Sequence, residues 1–162
     1  MTPGDLAALS ATEIVVLVKA RQISPVEVVK ASLDRIERCN PTLNAVVTLN
    51  EQAIEDACTL EASIKSDSDT HVLCGVPIGI KDLTPVAGLR TTYGSPIFSD
   101  HIPTEDAIIV QRLRSEGAII VGKTNTPEFG AGASTFNEVF GRTRNPWNPE
   151  RTSGGSTGGG AA

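Results

Sequence analysis

Aromatic side chains make up only 4% of this 162-residue sequence, with one Trp and one Tyr. A core built on aromatics is therefore excluded, and Val, Ile, Leu and Ala must fill it. Histidine occurs twice, at His71 and His101, far apart and in polar surroundings. Histidine catalysis and metal ligation are not expected, and both residues read as surface positions. The three cysteines, Cys39, Cys58 and Cys74, are odd in number and include no Cys-x-x-Cys pair. That pattern is neither a disulfide framework nor a metal site, and it suits a reducing compartment.

Positive charge is in deficit, 14 Lys and Arg against 19 Asp and Glu, for a net charge of −5. This argues against a nucleic-acid backbone or an anionic membrane as the main partner. Long apolar runs are missing too. The run near the N-terminus, Ile14 to Val18, is five residues long and has no basic segment before it. It fits neither a signal peptide nor a membrane span, so the expectation is a cytoplasmic protein that requires no metal or other cofactor. The length suits one domain with a substantial core.

What is present begins with helices. Ser10-Ala11-Thr12-Glu13 has the form of a capping box opening the Ile14–Val18 run. Ser24-Pro25-Val26-Glu27 is a second, with Pro25 at the first helical position, where a missing N–H costs nothing. Val26, Val29, Leu33 and Ile36 then follow at helical spacing, and Asn40-Pro41 is expected to end that helix. A third helix is expected from Glu51 to Lys65, then a polar surface loop from Ser66 to Thr70.

Beyond it, Gly75-Val76-Pro77-Ile78-Gly79-Ile80-Lys81-Asp82 reads as a short buried strand ending on a charged pair. Thr104-Glu105-Asp106 is expected to open a helix with acids in its first turn, Gly117 to close it, and Ala118 to Val121 to form another strand. This order implies an α/β layer architecture: N-terminal helices, then part of a mixed β-sheet core flanked by helices. From Thr126 onward periodicity fades. Asn145-Pro146-Trp147-Asn148 reads as a structural loop anchored by a buried indole, with Arg142 and Arg144 as braces or solvent-facing residues.

Two features carry possible chemistry. Lys81 ends an apolar strand, and burial would lower its pKa toward that of a usable base. On pattern alone, a solvated strand-end lysine paired with Asp82 is the preferred reading. The sequence closes on Arg-Thr-Ser-Gly-Gly-Ser-Thr-Gly-Gly-Gly-Ala-Ala, in which glycine pairs flank Ser156 and Thr157. Alone, such a run is a flexible linker by default.

Taken together they read differently. Gly-Ile-Lys-Asp-Leu, Gly-Lys-Thr-Asn-Thr-Pro-Glu-Phe, Arg-Asn-Pro-Trp-Asn and Gly-Gly-Ser-Thr-Gly-Gly occur in that order. The stretch from Gly75 to the last residue resembles the amidase signature family, whose hallmark is a serine, cis-serine and lysine triad. The resemblance implies Lys81 as the triad lysine and Ser156 as the cis-serine after Gly155, with Gly155 and Thr157 supporting. Thr157 stands where the family more often has a second serine. By position, Gly130, Ala131 and Gly132 correspond to a substrate-lining loop, while plain turn geometry remains an equal reading of them.

The implied activity is hydrolysis of a carboxamide C–N bond through a serine acyl-enzyme, with a small-molecule amide as substrate. Residues 1–70 would then be a helical leader and residues 71–162 the start of the catalytic core, within the N-terminal part of one amidase domain. In the family the nucleophilic serine follows the cis-serine by roughly two dozen residues, in an Asp-x-Gly-Gly-Ser stretch. No such stretch occurs here. The 162 residues alone are accordingly expected to be inactive and poorly stable, with the remainder of the domain as the natural partner and room for a homodimer. Two alternatives stay open: the glutaminase component of a tRNA-dependent amidotransferase (its A subunit), and a non-catalytic remnant. Thr126 to Ser134, Thr-Pro-Glu-Phe-Gly-Ala-Gly-Ala-Ser, is closer to stand-alone amidases than to that glutaminase.

Overall fold

The computed structural model describes residues 2–64 and 71–162. The loop expected between Ser66 and Thr70 lies outside the described residues. Six helices occur among the described residues: α1 Pro3–Leu6, α2 Ala11–Lys19, α3 Pro25–Leu43, α4 Ala53–Ser63, α5 Ile108–Ser115 and α6 Gly158–Ala161. Five strands accompany them: β1 Val46–Leu49, β2 Pro77–Lys81, β3 Ile119–Thr124, β4 Phe136–Asn137 and β5 Gly141–Arg142. Among the described residues, no helix is long and apolar enough to cross a membrane.

The chain forms two compact units. The first comprises Met1–Glu37, Asn50–Ile78 and Gln111–Val121, and the second Arg38–Leu49, Gly79–Val110 and Gly122–Ala162. The first unit is helix-rich. The Ser10–Glu13 capping box opens α2 as the sequence implies, with Ser10 Oγ accepting from the Glu13 amide and the Glu13 carboxylate accepting from the Ser10 amide. At α3 the Glu27 carboxylate again accepts from the Ser24 amide, but Ser24 Oγ takes the Val26 amide. The α3 stripe is wider than the four expected positions. Val28, Val29 and Ala31 are buried and Val26, Leu33 and Ile36 pack beside them, against Val18, Ala57, Leu60, Cys74 and Val121. Burying each large aliphatic side chain is worth about 1.5–3 kcal/mol, and this core holds the unit together.

Helix α3 does not stop at Asn40-Pro41. It runs on to Leu43 with Pro41 in its last turn. There the Asn40 side chain caps the chain beyond the helix, accepting from the Ala45 and Val46 amides and donating to the Val46 carbonyl. Asn44, at φ 51, makes the left-handed exit. The next helix is shorter than expected, Ala53–Ser63 rather than 51–65. The leader expected to be helical also contains a strand, β1.

The strand order is β1-β3-β2. In the second unit β1 pairs antiparallel with β3, Val46 opposite Thr124 and Leu49 opposite Gly122. Backbone bonds from Ile119 to Val76 and from Asp82 to Thr124 show β2 and β3 running in the same direction, so the sheet is mixed. Central β3 is buried along all six residues. Edge strand β2 is not the buried strand expected: of its residues only Ile80 is buried. Helix α5 likewise begins at Ile108, without acids in its first turn. Asp106 accepts from the Ala87 amide and the Ala107 amide bonds to the Pro85 carbonyl, which commits the expected start of the helix to another loop.

Candidate active site

All the residues singled out for chemistry lie in the second unit. Lys81, the last residue of β2, is partly buried. Its Nζ donates to Ser156 Oγ at 3.0 Å and to Thr157 Oγ1 at 3.1 Å. Burial lowers its pKa from that of a free lysine, and no charged group contributes to the shift. The solvated lysine paired with Asp82 is thus not what the structure shows. Lys81 turns to the glycine-rich loop, while Asp82 turns to Lys123. Strand alternation accounts for the difference, since successive side chains leave a strand on opposite faces.

The glycine cluster is an ordered loop that ends in helix α6. The Gly155–Ser156 peptide bond is cis. Gly154 has φ 80, a conformation that favours glycine. A Cβ on Gly155 would lie within 3.0 Å of Gly132 O, Ala133 C and Ser134 N. Only glycine therefore lets this backbone pass the 132–134 segment. The Gly158 amide donates to buried Thr135 Oγ1 at 2.8 Å, and Gly159 sits against the backbone of Asn125 and Ala45.

Gly130, Ala131 and Gly132 follow a short 3-10 turn, Glu128–Gly130, in which Phe129 and Gly130 both have positive φ. Gly132 has φ 145, and Leu83, two residues beyond Lys81, abuts Gly130. This loop lies between the Leu83 side chain and Gly155. Its placement beside Gly155 and its turn geometry are both present.

One sequence reading needs correction. Trp147 is not buried: it is 94% exposed, and the loop is held by polar bonds instead. Asn145 Oδ1 accepts from the Trp147 and Asn148 amides, and Arg144 Nη1 donates to the Pro149 carbonyl. Arg144 is thus a brace, whereas Arg142 is exposed. His101 is exposed and stacks on Tyr93.

The sequence reading also missed a buried polar layer. Lys123 and Asp82 are fully buried and 3.5 Å apart. Asn125, Asn137 and Thr143 are buried as well, with Asn137 Nδ2 donating to Asn125 Oδ1 and Asn125 Nδ2 donating to Thr143 Oγ1. A signal for Lys123 existed. Ile119-Ile120-Val121-Gly122 runs into a lysine just as Pro77 to Ile80 runs into Lys81.

Comparison with known proteins agrees with the motif order. The sequence model of the family described as Amidase matches residues 27–162. The A subunit of the glutamyl-tRNA(Gln) amidotransferase of Carboxydothermus hydrogenoformans is 46% identical over 159 residues, 98% of this chain and 33% of that protein. An acylamidase of Rhodococcus erythropolis is 42% identical over 158 residues, 97% of this chain and 33% of its own length. Among solved structures, a bacterial aryl acylamidase of the amidase signature enzymes superposes with a TM-score of 0.88 at 38% identity, over 96% of this chain and 33% of that one. The chain thus spans about a third of the length of the relatives it matches.

Proposed function

The chain belongs to the amidase signature family, and from that premise we propose that the protein carrying it hydrolyses a carboxamide C–N bond. The observation that carries this reading is the contact of Lys81 Nζ with Ser156 Oγ at 3.0 Å, made by a lysine whose pKa burial lowers. An ammonium with a carboxylate partner would be held protonated. Among the described residues Lys81 has hydroxyl partners only, so no carboxylate holds it protonated and burial favours the neutral amine.

In this mechanism a nucleophilic serine, outside these 162 residues, attacks the amide carbonyl. Its proton moves to Ser156 Oγ as the Ser156 proton moves to Lys81 Nζ. Collapse of the tetrahedral intermediate breaks the C–N bond, and the departing amine takes the proton back along the same relay. Water then cleaves the acyl ester, with the relay acting a second time as base. Thr157 Oγ1, 3.1 Å from Lys81 Nζ, fixes the amine in line with Ser156. The 130–132 loop beside Gly155 supplies part of the wall against which the acyl group lies.

A second reading is favoured by the 46% identity to the glutamyl-tRNA(Gln) amidotransferase component. Here the same residues would release ammonia from glutamine for transfer. One experiment separates the two: the purified intact protein, assayed alone with an aryl amide and with glutamine. Turnover of the aryl amide that Lys81→Ala and Ser156→Ala both abolish supports the hydrolase. Glutamine turnover only when partner proteins are added supports the second reading. Full activity in Lys81→Ala refutes both. The 162-residue chain by itself is expected to turn over neither substrate, because members of a catalytic unit lose activity together.

A further inference from the structure

Lys81 ends β2, Lys123 is the last residue but one of neighbouring β3, and only Lys81 faces the glycine-rich loop. Lys123 Nζ donates to the Thr84 carbonyl at 2.7 Å and to Thr91 Oγ1 at 2.6 Å, and lies 3.5 Å from Asp82 Oδ1. Three donors meet three oxygens, so this ammonium has nothing left to offer a substrate. Asp82 is equally committed. Its carboxylate accepts from the Thr92 amide at 3.1 Å and from Thr92 Oγ1 at 2.6 Å. Its own amide donates to the Thr124 carbonyl and its carbonyl accepts from the Tyr93 amide.

A fully buried ion pair is a poor source of stability, because desolvation offsets most of the Coulombic gain. Its place in the chain gives it a different use. Asp82 directly follows Lys81, and every polar group of residue 82 is bonded, so the peptide that carries Lys81 cannot rotate without breaking several bonds. The charges matter as well. The charged pair here is Asp82, the residue directly after β2 and Lys81, with Lys123 on β3, whereas the Lys81 amine itself meets only the hydroxyls of Ser156 and Thr157 on the glycine-rich loop. An unpaired carboxylate one residue away would draw a proton onto Lys81; Lys123 cancels it.

We propose that Asp82 and Lys123 are positioning residues for Lys81: the buried pair locks the end of β2 and neutralises the carboxylate of the residue next in the chain to the reactive lysine. This rests on Lys81 acting as the proton acceptor. The pair's side chains bond Thr84, Thr91 and Thr92, not Ser156, so its effect passes through Lys81 and surfaces as a change in kcat and in the pH at which activity rises.

The experiment compares Lys123→Met, Asp82→Asn, Thr92→Val and Lys81→Ala in the intact enzyme, following kcat, KM, the pH profile and thermal unfolding. In Lys123→Met, kcat falls by about tenfold or more while KM stays within about threefold, as expected when a reactive group is misaligned. The rising limb of the profile moves up by about one pH unit, because the Asp82 charge is no longer cancelled. In Asp82→Asn, kcat also falls, but the limb stays in place or moves down. Thr92→Val removes one hydroxyl from Asp82 and leaves the ion pair. It lowers kcat several-fold and also lowers the unfolding temperature, because Thr92 Oγ1 accepts from the buried Gly94 amide as well; it carries the test if Lys123→Met does not fold.

The proposal is overturned if Lys81→Ala is inactive while Lys123→Met and Thr92→Val keep the parent kcat and limb. It is also overturned if Lys123→Met and Asp82→Asn shift the limb equally in the same direction, which would mark the pair as packing alone. Activity that survives Lys81→Ala defeats the reading of Lys81 itself, and this inference with it.

Discussion

Replacing Gly159 by alanine sets two opposed effects of known size against each other. Gly159 lies in α6, three residues after Ser156, and alanine within a helix is ordinarily favoured over glycine by about 1 kcal/mol. The structure reverses that expectation. A Cβ at this position would lie 2.7 Å from the carbonyl oxygens of both Ala45 and Asn125, and closer still to the Asn125 amide nitrogen. All three are backbone atoms, so no rotamer change relieves the overlap. Ordinary contact begins at 3.4 Å, so the loop must withdraw by about 0.7 Å or more, on the scale where misplacement by 1 Å costs about a hundredfold in rate.

Overpacking against fixed backbone costs about 1–3 kcal/mol, which outweighs the helix gain. In the intact enzyme Gly159→Ala is therefore expected to lower kcat/KM by about ten- to a hundredfold and to reduce the unfolding temperature. Gly160→Ala is the control. Its Cβ would meet the Thr157 methyl at 3.2 Å and Thr124 Oγ1 at 3.9 Å, both side-chain atoms. Stability there should hold or rise, with activity within about threefold of the parent. If Gly159→Ala unfolds no earlier than the parent and keeps its kcat/KM within about twofold, α6 does not fix the Ser156 loop, and the reasoning fails.

Other outcomes follow from single contacts. Thr157→Ser should stay near parental activity because it keeps the hydroxyl 3.1 Å from Lys81, whereas Thr157→Val should lose about tenfold in kcat, read by steady-state kinetics. Thr135→Val strips the buried Gly158 amide of its acceptor and should cost about 1–3 kcal/mol in a denaturant titration. Burial holds Lys123 at about 8 against 10.5 for the free side chain, with Asp82 opposing the shift. Between those values the unfolded chain keeps a proton that the folded one has shed, so stability rises with pH across that window, by about 3 kcal/mol in all. Below pH 8 both states are protonated and the contribution is constant. Unfolding curves of the parent and Lys123→Met, compared from pH 7 to pH 10.5, should diverge only above 8; parallel curves would refute the assignment.

Some of this was legible from residue order alone. The Ser10–Glu13 box is local, its donors and acceptors lying within one turn, so four residues suffice to specify it. Pro41 misled because the helix continues only two residues past it, to Leu43, so the missing N–H falls in the last turn, and the Asn40 side chain then bonds the chain beyond the helix. Trp147 misled for a related reason. Its indole is a strong prior for burial, but Asn145 and Arg144 hold the loop through polar bonds, and the ring is left at the surface.

The sequence by itself determined the family, through four motifs in a fixed order, and nominated Lys81 and Ser156 as members of one group. It also determined the helix starts at α2 and α3, because caps are short-range hydrogen-bond patterns. Only the tertiary structure decided which lysine reaches the glycine-rich loop and which is sealed. Lys81 and Lys123 both follow apolar runs and look alike in one dimension. Edge strand β2 leaves Lys81 room to reach Ser156, whereas central strand β3 and the 84–92 segment enclose Lys123 with Asp82. Desolvation depends on what distant segments place around a side chain, and no local pattern records that.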